Sequence, residues 1–185
     1  MKRVMALLLL AGLAGCGGIP IDGTDPLNVV VPCNTAYYNS QFGFGFDLPS
    51  TAVLESQGSD PPLFAFDADW SVAYSDANVS FLVFVQGPIG FASTDPAAML
   101  AEWADVIRGE LQADHSIIAD NGVTLPNGDA GHLFITVRTD IPVSSYYAFT
   151  VKDSVVFTLF ATTVQPVSLP VDFFIIDTVF SLCVD

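Results

Sequence analysis

Tyr38-Asn39-Ser40-Gln41-Phe42-Gly43-Phe44-Gly45-Phe46-Asp47-Leu48-Pro49 carries a phenylalanine at every second position between a polar link and a proline. Period-two spacing is that of a strand, with Phe42, Phe44, Phe46 and Leu48 on one face. Gly43 and Gly45 leave the opposite face bare, which lets another element approach the backbone closely. Pro49 ends the strand.

Downstream, Leu63 to Trp70 and Val79 to Gln86 read as two further strands, with Asp76, Ala77 and Asn78 as the turn before the second. Val79 to Val85 is apolar on both faces, as suits a central strand covered on both sides. Thr94-Asp95-Pro96 announces a helix, with Asp95 as N-cap and Pro96 in the first helical position. Leu100, Trp103, Ile107 and Leu111 then recur at helical spacing, opposite Glu102, Asp105 and Gln112. Asp120-Asn121-Gly122 and Asn127-Gly128-Asp129 are turn signals, the second flanked by strands at Val123 to Leu125 and His132 to Arg138. A hairpin follows. Tyr147, Phe149 and Val151 alternate up to a Lys152-Asp153 link, and Val155, Phe157 and Leu159 return; the link is not the preferred Asn-Gly, so the turn can shift by a residue. From Ser168, the spacing of Phe173, Ile176 and Phe180 fits a helix, while the β-branched and aromatic content also fits a strand.

This order predicts an α+β fold, an antiparallel β-sheet of about seven strands with helices packed on it. The run Tyr38 to Pro49, a short polar link leading into an aromatic strand that ends in Leu-Pro, resembles the start of the PsbP-like superfamily. The Val155 to Ala161 strand and the Phe173 to Phe180 segment resemble its close. Exported bacterial members of that superfamily include DcrB-like and LpqN-like lipoproteins. The resemblance implies an α/β/α sandwich over roughly Tyr37 to Leu182 and a helical final segment. The metal-linked role of the photosynthetic members is not carried over, because no matching His or carboxylate cluster and no basic patch is found.

At the other end, Lys2 and Arg3 precede the apolar run Val4 to Leu10 and the small residues Ala11, Gly12, Ala14 and Gly15. That is the layout of a secretory signal, too short to span a bilayer. Leu13-Ala14-Gly15-Cys16 resembles the bacterial lipobox. The resemblance implies cleavage before Cys16, a diacylglyceryl group on its thiol and acylation of the new amine, and two or more chains give stable anchoring. Residues 1–15 are therefore expected to be a lipoprotein signal peptide. Residues 16–32, rich in Gly, Pro, Asp and Asn, are expected to be a lipid-anchored tether, and residues 33–185 a single domain.

Composition excludes several partners. The chain is 51% hydrophobic and carries a net charge of −15, which becomes −17 beyond Cys16 because Lys2 and Arg3 are lost. Only Arg108, Arg138 and Lys152 remain as strong bases, so the surface repels nucleic acid and anionic headgroups. Membrane attachment then falls to the lipid. Beyond Cys16 stand Cys33 and Cys183, in an exported protein where disulfides persist. A Cys33–Cys183 bridge would tie the two ends of the domain, for as much as about 5 kcal/mol in the chain-entropy model; two separately buried thiols are the alternative.

His115 and His132 have no histidine or cysteine at ligand spacing, so no metal site is expected, and no cofactor. Neither a Gly-x-Ser-x-Gly elbow nor a glycine-rich phosphate loop is present, so no catalytic residue is assigned. Asp67-Ala68-Asp69 invites a calcium reading, in which Asp67, Asp69 and Asp76 would share an ion, but Val72 and Asn78 stand where an EF-hand needs glycine and glutamate. The expected function is a non-catalytic, lipid-anchored protein of the bacterial cell envelope, its domain outside the cytoplasm, acting as a binding or assembly module for an envelope protein partner. The alternative is a carrier whose aromatic residues and glycine-bare strand line a groove for an apolar ligand.

Overall fold

The period-two runs become strands and the capped amphipathic run becomes a helix. The computed structural model describes residues 35–59, 68–76, 78–167 and 169–185. Along the chain these form β1 (Tyr37–Asn39), β2 (Phe44–Phe46), β3 (Val53–Gly58), β4 (Trp70–Asp76), β5 (Val79–Gln86), α1 (Pro96–Leu111), β6 (His115–Thr124), β7 (Ala130–Arg138), β8 (Val143–Lys152), β9 (Val155–Val164), α2 (Leu169–Phe180) and β10 (Cys183–Val184). Seven strands make one antiparallel sheet in the order β3-β4-β5-β9-β8-β7-β6, and β1, β2 and β10 make a small second sheet with β2 in its centre.

Register shows why both faces of the large sheet are apolar. Phe81 lies opposite Ala161, which lies opposite Tyr146, while Leu82 lies opposite Phe160, which lies opposite Tyr147. The first row belongs to one face and the second to the other. On the first face Val72, Tyr74, Phe81, Val83, Phe157 and Leu159 pack with Phe44 and Phe46 of the small sheet and with Ile175 and Val179 of α2. On the second, Phe134, Tyr147, Phe149 and Val156 pack with Met99, Leu100, Ala104 and Leu111 of α1, while Trp103 and Ile107 pack partly buried beside them. The layers are therefore α1, the large sheet, then α2 with the small sheet: the sandwich implied by the resemblance.

The caps formed as the sequence required. Asp95 stays extended, its side chain accepts from the Ala98 amide at 2.9 Å, and proline follows it. The final segment is helical. Its Ile175, Val179 and Leu182 are fully buried, so a helical face satisfies the apolar residues that alternation alone left undecided.

Several boundaries differ from expectation. The aromatic-glycine stretch is not part of the large sheet. Its strand shortens to Phe44–Phe46 because Asn39 to Gly43 folds into a turn, the Asn39 side chain accepting from Gln41 and Phe42 and the Gly43 amide donating to the Asn39 carbonyl at 2.9 Å. Gly43 sits there at φ +65°, the left-handed region that glycine enters without strain. Phe44 and Phe46 are fully buried as expected, with Phe42 and Leu48 packed against the same core. Of the predicted Leu63 to Trp70 strand, residues 63–67 lie outside the described residues, and the strand instead begins at Trp70 and runs to Asp76. β3 was not foreseen; as an edge strand that exposes Val53, Glu55 and Gln57 it needs no apolar pattern. Asp120-Asn121-Gly122 does not turn. It continues β6 opposite Phe134, Leu133 and His132, where an exposed edge tolerates polar residues and a register shift between Ile117 and Ala119 absorbs the irregularity. The β8–β9 link is Asp153-Ser154, one residue later than predicted, with both residues at positive φ as a tight hairpin demands.

The bare face of Gly45 is covered by Thr35 and by the backbone of Tyr37 in β1. A methyl group built there would meet the Thr35 hydroxyl at 2.1 Å and the Tyr37 carbonyl at 2.7 Å. Gly45→Ala is expected to lower unfolding free energy by about 1–3 kcal/mol through overpacking. Gly122→Ala, with nothing within 4 Å, should change it by less than about 0.5 kcal/mol. Urea denaturation of the two variants checks the contrast.

Candidate functional site

The sequence-derived candidates fall in separate places. Cys16 and Cys33 lie outside the described residues. Cys183 is buried in β10, directly opposite Gly45 of β2. Of the calcium trio, Asp67 lies outside the described residues. Asp69 precedes β4, where its carboxylate accepts from the Gly87 amide at 2.7 Å, and Asp76 closes the same strand. At about 3.3 Å per strand residue the last two stand roughly 20 Å apart, too far to share an ion. Among the described residues no group of three His, Cys, Asp or Glu side chains is placed to hold a metal.

The tertiary structure puts each histidine beside an arginine on the α1 face of the sheet. β7 alternates, so His132, Phe134, Thr136 and Arg138 all project toward α1. At the α1–β6 boundary Arg108 grips Asp120 with two bonds, Nε to Oδ2 at 2.6 Å and Nη2 to Oδ1 at 3.0 Å, and also bonds Asp105. His132 Nε2 meets Asp120 Oδ1 at 2.7 Å, and its ring stacks on Phe149 with centroids 5.5 Å apart. The guanidinium carbon of Arg108 lies 5.6 Å from the Phe134 ring centre, a cation–π contact.

A second cluster lies at the C-terminal end of α1, where β6 begins and β7 ends. Arg138 is bidentate to Asp140 at 2.7 and 2.6 Å and reaches Asp114 at 3.5 Å. His115, directly opposite Arg138 in the ladder, bonds Asp114 through Nδ1 at 2.6 Å, with its side chain 0% exposed. If Asp114 accepts the Nδ1 proton, Nε2 is left as an acceptor. The His115 Nε2, Arg138 Nη1, Thr136 hydroxyl and Tyr147 hydroxyl are all buried and have no hydrogen-bond partner among the described residues. Tyr147 is within electrostatic reach of Asp114, Arg138 and Glu110, and burial pushes its phenol well above the ordinary range. Such a group of buried donors and acceptors suits enclosed water, which makes about three hydrogen bonds per molecule. Chemically the cluster can order water and fix strand ends; its histidine ring does not reach the surface.

Sequence reasoning missed both clusters because the contacts that assemble them, Arg108–Asp120, His132–Asp120 and Arg138–Asp114, join separate elements of the chain. One signal was legible: Arg108 and Arg138 are the only arginines beyond Cys16, and both lie next to apolar sheet-forming or helix-forming residues.

Arg108, seconded by His132, holds the Asp120 carboxyl down at about 2 against an ordinary 3.8. The folded state therefore binds that proton less tightly than the unfolded chain. The resulting stabilisation is present above about pH 4 and is lost as pH falls toward about 2. Asp120→Asn is expected to lower stability by about 1 kcal/mol at neutral pH, discounted for partial exposure. The gap to the parent protein should narrow below about pH 4 and close only as pH falls through about 2, as read by urea midpoints across the pH range.

No protein-family model and no curated protein matches this sequence. Among solved structures it is similar to cyanobacterial PsbP (CyanoP) from Synechocystis sp. PCC 6803, with 14% identity and a TM-score of 0.56 over 80% of this chain and 91% of that one. A protein of unknown function from Pseudomonas aeruginosa, PA94, is similar at 12% identity and a TM-score of 0.39, over 64% of this chain and 72% of that one. The first likeness shows that this chain has a PsbP-like α+β fold.

Proposed function

We propose that this PsbP-like chain is a lipid-anchored protein of the bacterial cell envelope that acts as a non-catalytic binding or assembly module for an envelope protein. The observation that carries the proposal is Leu13-Ala14-Gly15-Cys16 after a charged and apolar leader, followed by the Gly-, Pro-, Asp- and Asn-containing stretch 16–32 read as a tether. A linker of that length reaches tens of ångströms, enough to hold a domain clear of a bilayer. Among the described residues no helix is long and apolar enough to cross a membrane; in this proposal the lipid on Cys16 supplies the attachment. The non-catalytic reading is supported by the state of the titratable groups. Arg108, Arg138, His115 and His132 are each engaged by carboxylates beside α1, where they brace the fold.

The Cys33–Cys183 bridge belongs to the same proposal. Cys183 lies opposite Gly45, so its side chain stands on the face of β2 that Thr35 covers, and Cys33 is two residues before Thr35. The carrier reading gains no support at Gly45, because Thr35 fills the space above it.

Envelope fractionation, with pull-down of the lipidated protein, tests the anchor and the module together. Wild type should partition with membranes and recover a defined protein partner, while Cys16→Ala should be released from the membrane and lose that partner. Turnover on a hydrolase panel that one side-chain change abolishes would overturn the non-catalytic reading. Peptide mapping without reductant should yield a Cys33–Cys183 linked pair, and two free thiols would remove the bridge.

A further inference from the structure

We infer that the outer face of α2 is a docking surface for a cationic amphipathic segment of a partner protein; this rests on the module reading and names the chemistry of its partner. α2 reads Leu-Pro-Val-Asp-Phe-Phe-Ile-Ile-Asp-Thr-Val-Phe, with apolar residues around nearly its whole circumference. A helix apolar all round normally lies in a core, covered on every side. Here Ile175 and Val179 face the large sheet and are fully buried, while the opposite side faces outward. Phe173 and Asp177 share that outward side at helical spacing, while Ile176 and Phe180 flank it and pack partly against the core. Phe173 is 63% exposed, the one aromatic among the large exposed apolar residues described, and Ile176 and Phe180 are half-buried.

Charge selects the occupant. α2 contains no base, and Asp177 is exposed on the same outward side as Phe173. Asp47 lies just past the helix C-terminus, where its amide donates to Ser181 at 2.7 Å. The C-terminal end of a helix carries partial negative charge, and here no basic residue in the last turn offsets it. Arg108 and Arg138 are committed to carboxylates on the far face of the sheet. A basic helix with one apolar side satisfies both features of this surface. A second copy of the chain would bring like charge to it, and so would an anionic bilayer.

The test uses the intact protein and a synthetic leucine/lysine amphipathic helix of about four turns, labelled for fluorescence anisotropy at physiological salt. The peptide should bind, and its leucine/glutamate counterpart should not. Phe173→Ser should weaken binding by about tenfold or more with an unchanged melting temperature. Asp177→Asn should weaken it less and flatten its salt dependence. Val106→Ser, which alters an exposed apolar residue on α1, should leave binding unchanged. Equal binding by Phe173→Ser would reduce the effect to bulk charge and overturn the surface, as would no binding at all. Phe173-dependent attachment to phosphatidylcholine vesicles, or Phe173-dependent dimerisation in sedimentation, would assign another occupant and overturn the cationic one. A partner recovered equally by wild-type and Phe173→Ser protein in the envelope pull-down would remove this surface while leaving the module reading intact.

Discussion

The central strands β5, β9 and β8 are apolar on both sides, so the large sheet has to be covered twice. Phe81, Val83, Phe157 and Leu159 leave one face with a continuous apolar strip, and Leu82, Tyr147, Phe149 and Val156 leave another on the reverse. Each buried side chain of this size contributes about 1.5–3 kcal/mol relative to exposure, so neither face can be left wet. The order of the chain then distributes the cover. α1, inserted between β5 and β6, takes one face; the two ends of the domain, β1–β2 and α2–β10, meet on the other. The small sheet is the joint between those ends, with β2 flanked by one strand from each.

Covering a sheet with α1 has a consequence for charge. β7 and β6 bring His132, Arg138, His115 and Asp120 to the side that the helix partly encloses. Desolvation of such groups is costly unless they are paired, and every one of them is. The two arginines thus bind α1, β6 and β7 together. What the rest of the surface presents is an excess of carboxylate on a domain whose positive charge has mostly been drawn inward.

That division gives the two faces different characters. The α1 face is internally braced and polar at its margin, with Asp105 and Glu110 facing solvent. On the opposite layer, α2 offers an aromatic outer side with acids beside it, and the N-terminal approach to the domain lies in the same layer, at Thr35 and β1.

Much of this was written locally. The cap at Asp95, the amphipathic run after it, the two-sided apolarity of Val79 to Val85 and the hairpin after Tyr147 depend on neighbours in sequence, and each took the form its spacing implied. The class of fold followed from their order. The aromatic row at Phe44 and Phe46 was legible as a buried face, but its membership of a separate sheet was not, because a strand's pattern says which side is buried and never against what. Asp120-Asn121-Gly122 reads as a turn until a partner strand supplies its ladder, and β3 is invisible because an edge strand is held by backbone bonds that any side chain permits. The pairing of Arg108 with Asp120 and of Arg138 with Asp114, and the exposure of Phe173 on a largely apolar helix, were decided only in the tertiary structure. Charge pairing and burial depend on distances between segments remote in the chain, and those distances exist only once the sheet has closed its two faces.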